Sequence, residues 1–135
     1  MKFYIASSFQ NRDLVRVATF LFSQNDFIQA YDWTMNEKAA TFEELRYIGE
    51  EAKQGIMDAD FVVMILPAGK GSHLELGMAM ALNKRIYLYS PDEDIYHMDK
   101  TITYYFLPEL RPFVGQLADF ISFVIKCENN NVVLH

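Results

Sequence analysis

Glu75 is the residue of this chain whose type and position are best suited to chemistry. It stands in the segment GKGSHLELG, which follows a continuous apolar run and opens a helical pattern. A carboxylate held where a strand gives way to a helix, beside glycines that a ligand can approach closely, suits action on a small ligand. Gly69, Gly71 and Ser72 supply that flexible backbone and one hydroxyl. The segment therefore predicts a ligand site in which Glu75 is a nucleophile or a general base.

Two features of the same segment allow a plainer interpretation. The pattern Ser72-x-x-Glu75 also matches a capping box, in which the acid would serve its own helix. His73 lies two residues before Glu75, so on a helix the two side chains point in different directions. A lone histidine is more often a packing or hydrogen-bonding residue, although His73 remains a candidate for substrate binding. The segment matches neither a Walker A loop nor a dinucleotide fingerprint.

Four more candidates precede this segment. Tyr4 places a hydroxyl in the first apolar strand, where it could hydrogen-bond and tune Glu75, and Ser7 ends that strand. Asp32 and Trp33 offer a carboxylate and an aromatic plate, a pair that can hold a nucleobase by its edge and its face. The alternative for Tyr4 is a half-buried tyrosine whose hydroxyl reaches water. The alternative for Asp32 and Trp33 is an ordinary turn after a strand.

Periodicity along the chain predicts strands and helices in alternation. The predicted strands are Lys2–Ser7, Phe27–Trp33, Phe61–Leu66, Arg85–Tyr89 and Thr101–Phe106, and the predicted helices are Asn11–Gln24, Thr41 to about Met57, Ser72–Leu82 and Phe113–Cys127. Such alternation implies parallel strands joined by right-handed crossovers. We predict a flavodoxin-like three-layer α/β sandwich with strand order 2-1-3-4-5, in which ligands bind beyond the carboxyl ends of strands 1 and 3. Residues 1–127 would form one domain, followed by a tail at 128–135.

Composition narrows the functional classes. The chain has 135 residues, 51% of them hydrophobic, and a net charge of −6 without a basic cluster, so nucleic-acid binding is disfavoured. The single cysteine, Cys127, excludes an intrachain disulfide, and no spacing indicates a metal site. No apolar run reaches the roughly 18–20 residues of a membrane span, and the N-terminus has no signal-peptide layout. We expect a cytoplasmic protein without a cofactor, a metal or a membrane partner.

The sequence resembles the nucleoside 2-deoxyribosyltransferase family, including its deoxynucleoside 5′-monophosphate N-glycosidase relatives. The resemblance rests on KFYIASSFQNRD, YDWT, IGEEAKQGIMDADFVVMILP and above all GKGSHLELGMAMALNKRIYLYSP, and so covers about the first 90 residues. It implies the flavodoxin-like fold and a glutamate that attacks C1′ of a 2′-deoxynucleoside to give a covalent glycosyl ester. Glu75 matches that nucleophile, and Tyr4 matches the tyrosine that hydrogen-bonds it. The substrate would be a small nucleoside or nucleotide.

One position departs from the family pattern. The family usually has an aspartate on the second helix at the position of Ala52, four residues before Ile56. Glu51 is adjacent and is the candidate to take its place, but a shift of one residue rotates a side chain by about 100° around a helix. This departure bears on base recognition and on proton delivery to the leaving base.

The resemblance also implies a homo-oligomer in which a neighbouring subunit completes the site, with Tyr104–Phe106 and the terminal tail as candidate contacts. Two rival functions share the fold. One is a non-catalytic nucleotide-sensing module that uses the loop and helix N-terminus as an anion cradle. The other is an NAD-type N-glycoside hydrolase. Transfer or hydrolysis, base preference and the sugar's 2′ substituent stay open at this point.

Overall fold

The protein is built on one parallel five-stranded sheet with the strand order β2-β1-β3-β4-β5. A computed structural model describes residues 1–133, with side chains to residue 130. The strands are β1 (Lys2–Ala6), β2 (Ile28–Gln29), β3 (Phe61–Ile65), β4 (Arg85–Ser90) and β5 (Leu110–Val114), and the helices are α1 (Arg12–Ser23), α2 (Phe42–Asp58), α3 (Lys70–Ala81) and α4 (Leu117–Val133). The predicted fold class and strand order are confirmed.

The centre of the sheet is apolar because both of its faces are covered. All five residues of β3 are buried, as expected for a parallel strand between two helical layers. Helix α1 packs beside α4, and α2 packs beside α3. The rings of Phe3, Phe22, Phe61 and Tyr87 contact one another across the first of these layers. Much of the aromatic content therefore fills the core.

Helix α2 begins where the sequence predicts it. The side chain of Thr41 accepts a hydrogen bond from the Glu44 backbone N–H at 3.1 Å, and Glu44 accepts one from the Ala40 N–H at 2.6 Å. These bonds satisfy two N–H groups at the helix start, as capping residues do. The local sequence therefore fixes the start of α2, the helix that carries Ala52.

The fifth strand lies later in the chain than predicted. Residues Thr103–Phe106 form a 3₁₀ turn, and the strand is Leu110–Val114. Tyr104 and Phe106 are exposed while Tyr105 is buried, and this alternation imitates a strand. Pro112 argued against a strand at its position in the sequence. An edge strand such as β5 tolerates proline, because the backbone N–H groups on one of its sides have no partner strand.

Two further boundaries differ from the prediction. Of the segment Phe27–Trp33, only two residues pair with β1, and Trp33 begins a 3₁₀ turn. The last helix starts at Leu117 rather than Phe113 and continues to Val133, so most of the predicted tail is helical. Residues 134–135 of that tail lie outside the described part of the chain. No helix among the described residues is long and apolar enough to span a membrane.

Candidate active site

Helix α3 starts earlier than predicted, and this changes the role of Glu75. The helix begins at Lys70 with Gly69 as its N-cap, and Ser72 accepts a hydrogen bond from the Gly69 N–H at 3.4 Å. Glu75 therefore lies in the second turn and does not cap the helix. The alternative interpretation of Ser72 and Glu75 as a capping box is wrong. Lys70 and Gly71 are already helical, so Ser72 is not the residue that caps the helix.

The side chain of Glu75 is instead bonded to Tyr4. The Tyr4 hydroxyl donates a short hydrogen bond to Glu75 Oε2. Tyr4 is almost fully buried on β1, in register with Val62 of β3, and Glu75 is half-buried on the helix that follows β3. No described residue donates to Glu75 Oε1. The pair thus holds one carboxylate oxygen and leaves the other available to a ligand.

Burial governs the protonation of this pair. It raises the pKa of Glu75 from 4.5 to about 7, while the bond from Tyr4 pulls that pKa down. Burial also raises the pKa of Tyr4, and the neighbouring Glu75 carboxylate raises it further, so the phenol keeps its proton at neutral pH. A carboxylate with a pKa near neutrality is typical of acids and nucleophiles in active sites.

Removing the Tyr4 hydroxyl should raise the pKa of Glu75 further. Without that donor the carboxylate loses the one interaction that favours its charged form, so we expect Tyr4→Phe to move the midpoint upward by about one unit. Titration of the ¹³Cδ signal of Glu75 by NMR measures it. Tyr89→Phe is the matched control, because that buried hydroxyl donates to Gly115 O instead. An unchanged or lower midpoint in Tyr4→Phe would contradict the assignment.

Glu75 and Tyr4 line a cavity of about 480 Å³ between α2, α3 and the carboxyl end of β1. This volume suits a small organic ligand. The lining is Tyr4, Ser7, Ser8, Phe9, Trp33, Ile48, Gly49, Ala52, Lys53, Gly69, Gly71, Ser72, Leu74, Glu75 and Met78. The cavity lies beyond the ends of β1 and β3, where the strand order reverses, as predicted for a ligand site in this topology.

Gly55 allows α2 to approach the Tyr4 ring. A Cβ atom there would lie 2.8 Å from Tyr31 Cβ and 3.1 Å from Tyr4 Cδ2. We expect Gly55→Ala to lower the free energy of unfolding by about 1–3 kcal/mol through overpacking. Gly77→Ala is the control, since its Cβ meets nothing within 4 Å, and it should raise stability by about 0.5–1 kcal/mol. Urea denaturation separates the two, and equal effects would exclude the proposed clash.

Several predicted site residues meet at this cavity. The Trp33 indole N–H donates to Ile5 O at 2.6 Å, which fixes the ring in the wall, and the Phe9 ring lies 6.2 Å from it. Ser7 also lines the cavity, but its hydroxyl donates to Ile65 O at 2.8 Å. Gly69, Gly71 and Ser72 belong to the lining as well, at the start of α3.

Three predicted residues lie elsewhere. Asp32 accepts from the Thr34 N–H and hydroxyl at 3.0 and 2.5 Å, so it caps its own turn outside the cavity. Glu51 is outside the lining, while Ala52 is part of it, in agreement with the rotation expected from a shift of one residue. His73 lines a separate cleft of about 490 Å³ on the far side of the α3 start.

Sequence reasoning missed part of the lining. Ile48, Gly49, Lys53 and Met78 contribute to it without having been candidates. Lys53 follows Ala52 on α2, and helical spacing from Gly49 would have placed both on the face toward the cavity. No group of three histidine, cysteine or acidic side chains within residues 1–130 is arranged to hold a metal ion.

Comparison with known proteins gives a likeness of structure. Neither a protein-family model nor a curated protein sequence matches the chain. The Clostridium botulinum CMP N-glycosidase BcmB superposes with a TM-score of 0.60 at 10% identity, covering 92% of this chain and 98% of that one. The 2-deoxyribosyltransferase of Bacillus psychrosaccharolyticus gives 0.63 at 20% identity, covering 88% and 89%. The chain has the fold of these two enzymes. The resemblance predicted from the sequence is confirmed at this level.

Proposed function

We propose that this protein belongs to the nucleoside 2-deoxyribosyltransferase family and cleaves or transfers at the N-glycosidic bond of a 2′-deoxynucleoside or its 5′-monophosphate. The observation that carries the proposal is the Glu75 carboxylate, held by the Tyr4 hydroxyl on the wall of a cavity at the strand-order reversal. The fold shared with a CMP N-glycosidase and a 2-deoxyribosyltransferase supports it.

Glu75 would act as a nucleophile. Its oxygen Oε1 attacks C1′ of the sugar, the bond from C1′ to the base nitrogen breaks, and the base leaves with the electron pair and takes up a proton. The product is a glycosyl ester of Glu75. Water, or the nitrogen of a second base, then attacks C1′ from the other side, gives up a proton and releases the carboxylate. Because each of the two attacks inverts the configuration at C1′, the final product has the same configuration as the substrate.

The remaining lining would hold the two ends of the substrate. Gly69, Gly71 and Ser72 lie at the α3 start, where unpaired N–H groups and the helix dipole favour a sugar hydroxyl or a 5′-phosphate. Trp33 and Phe9 offer aromatic faces on which a base can stack. With the base on the aromatic rings and the sugar or phosphate at the α3 start, the C1′ atom would lie between these two groups of residues, within reach of Glu75.

Lys53 is the cation of the described lining and would serve the leaving base. A base that departs as an anion needs a proton, and no carboxylate stands at Ala52 to supply one. We expect Lys53→Met to lower kcat for base release about 100-fold, the lower range for loss of a general acid. Lys126→Met, on the exposed surface of α4, is the control. Equal rates in wild type and Lys53→Met would remove Lys53 from the mechanism.

The test of the proposal is base release. The protein is incubated with a panel of 2′-deoxynucleosides, their 5′-monophosphates, ribonucleotides and NAD, and the bases are separated by chromatography. Intact-protein mass is recorded in parallel for a glycosyl adduct. We expect base release from a deoxy substrate that is absent in Glu75→Ala, and adding a second base separates transfer from hydrolysis.

The same panel distinguishes the rival functions. Release of nicotinamide alone would favour the NAD-type hydrolase. No release from any substrate, with a rise in melting temperature on adding nucleotides that persists in Glu75→Ala, would overturn the enzyme proposal in favour of a sensing module. Neither outcome depends on knowing the physiological base.

We also propose a homo-oligomer that covers the cavity. Leu74 lines the cavity and is 69% exposed, and Tyr104 and Phe106 are exposed on the 3₁₀ turn whose Tyr105 hydroxyl contacts His73 of α3. A neighbouring subunit seated there would bury apolar side chains and close the site to water. Light scattering of the wild type and of Leu74→Glu tests this. A monomeric wild type would contradict it.

A further inference from the structure

His73 is held between two polar groups on the side of α3 that faces away from the cavity. Its Nδ1 lies 2.7 Å from the carbonyl oxygen of Gly69, and its Nε2 lies 2.7 Å from the Tyr105 hydroxyl. The two rings also stack, with centroids 5.9 Å apart and planes at 25°. Neither side chain lines the cavity that contains Glu75.

The chemistry of the two partners fixes the form of the imidazole. A carbonyl oxygen only accepts, so Nδ1 must carry the proton that reaches Gly69 O. In the neutral ring Nε2 is then an acceptor, and the Tyr105 hydroxyl donates to it. Tyr105 is a buried residue, and its hydroxyl lies 2.7 Å from Nε2. The result is a chain of donors that runs from Tyr105 through His73 to Gly69.

These hydrogen bonds end on Gly69, the residue directly before α3, the helix that carries Glu75. Gly69 is the N-cap of α3 and has no side chain with which to fix its own position. Its N–H is held by Ser72, and its carbonyl accepts from the His73 backbone N–H at 3.2 Å as well as from the imidazole. On the other side of the loop, Asn11 donates to Pro67 O at 2.8 Å. Both contacts tie the loop to distant segments: Asn11 belongs to the start of α1, and the imidazole connects Gly69 to Tyr105.

We propose that His73 and Tyr105 are positioning residues that set the geometry of the Gly69–Ser72 loop for the sugar or 5′-phosphate end of the substrate. The inference rests on the proposed function of that loop. His73 acts through the Gly69 carbonyl and does not touch substrate. Glu75 is held separately by Tyr4, so its position does not depend on the imidazole.

Four variants separate this role from a general effect on folding. In His73→Asn the amide nitrogen can occupy the place of Nδ1 and donate to Gly69 O, whereas His73→Gln reaches toward Tyr105 and leaves that carbonyl without the donor. We expect His73→Ala and His73→Gln to raise KM for the best substrate about fivefold to tenfold, the loss of one net hydrogen bond. We expect His73→Asn to stay within about twofold of wild type. Tyr105→Phe should give an intermediate rise.

A positioning role predicts that kcat and the pH midpoint of Glu75 stay close to wild type in all four variants. A merely structural role predicts a fall in kcat that follows the folded fraction, with KM unchanged. The proposal is overturned if KM does not change in His73→Ala, or if His73→Asn is no better than His73→Gln.

A second measurement needs no activity and keeps the two proposals apart. The ¹⁵N signals of the His73 ring should report a proton on Nδ1 in the free protein, and the tautomer should become mixed in Tyr105→Phe. A neutral ring in the wild type with its proton on Nε2 and none on Nδ1 would overturn the inference whatever the enzyme does. If no base is released from any substrate, affinity for deoxynucleoside 5′-monophosphates replaces KM. An affinity that His73→Gln leaves unchanged would then overturn the inference.

Discussion

A Glu75→Gln variant is expected to release no base and to be more stable than the wild-type protein at pH 8. Burial raises the pKa of this carboxyl from 4.5 to about 7, so the folded protein keeps a proton there that the unfolded chain has already lost. The free energy of unfolding of the wild type therefore falls as the pH rises through that window. Glutamine has no charge to bury. We expect the free energy of unfolding of Glu75→Gln to exceed that of the wild type by about 2 kcal/mol at pH 8, and the two to be nearly equal at pH 4.

Urea denaturation of both proteins at pH 4, 6 and 8 measures this difference. Glu51→Gln is the matched control, because Glu51 lies on α2 outside the cavity. A gain that is the same at all three pH values would come from packing and not from the charge. A Glu75→Gln variant that is less stable than the wild type at pH 8 would contradict the burial of a charged carboxylate altogether.

The two effects of this substitution have one cause. The buried, half-ionised carboxylate that lowers stability is also the group that the proposed mechanism uses as its nucleophile, a task for which a solvated carboxylate would be poorer. Active sites commonly lower the stability of the fold in this way. The activity of Glu75→Gln should be lower than that of wild type by at least about 10³-fold, as for loss of a nucleophile.

The fold was accessible from the sequence because its signals are strong and local. Continuous apolar runs such as Phe61–Leu66 mark strands buried on both faces, and helices of regular spacing separate them. Once the order of strands 1 and 3 is assumed, Tyr4 and the helix after β3 must meet at one edge of the sheet. The Tyr4–Glu75 bond follows from topology and from the resemblance, and the structure contains it.

The remaining parts of the site depend on geometry that local patterns do not encode. Asp32 and Trp33 are adjacent, yet one caps a turn and the other lines the cavity, because the chain turns between them. His73 and Tyr105 are 32 residues apart and meet only because the loop before β5 folds back over the α3 start. Such pairings require the three-dimensional arrangement of loops, which periodicity does not determine.

Glu128 is the strongest example of a residue whose role the sequence concealed. It is predicted as the first residue of the tail at 128–135, but it is fully buried in α4. It accepts from Arg85 Nε and Nη2 at 2.7–3.0 Å and from the Tyr87 hydroxyl, which joins α4 to the start of β4. Burial and then the Glu128 carboxylate raise the pKa of Tyr87, so this phenol stays a donor. The apolar residues that precede Glu128 predict only a helix.

We expect Glu128→Ala to lower the free energy of unfolding by about 3 kcal/mol, because it leaves Arg85 and the Tyr87 hydroxyl without their partner. Partial exposure of Arg85 keeps the cost at the lower end of that range. Urea denaturation measures it, with the exposed Glu50→Ala as control. Replacing Arg85 and Glu128 together by methionine should recover part of the loss, since no charge then stays unpaired while the Tyr87 hydroxyl still lacks its acceptor. Base release per folded molecule should not change, because Glu128 lies outside the cavity. A loss below about 1 kcal/mol would show that the pair merely breaks even against solvent.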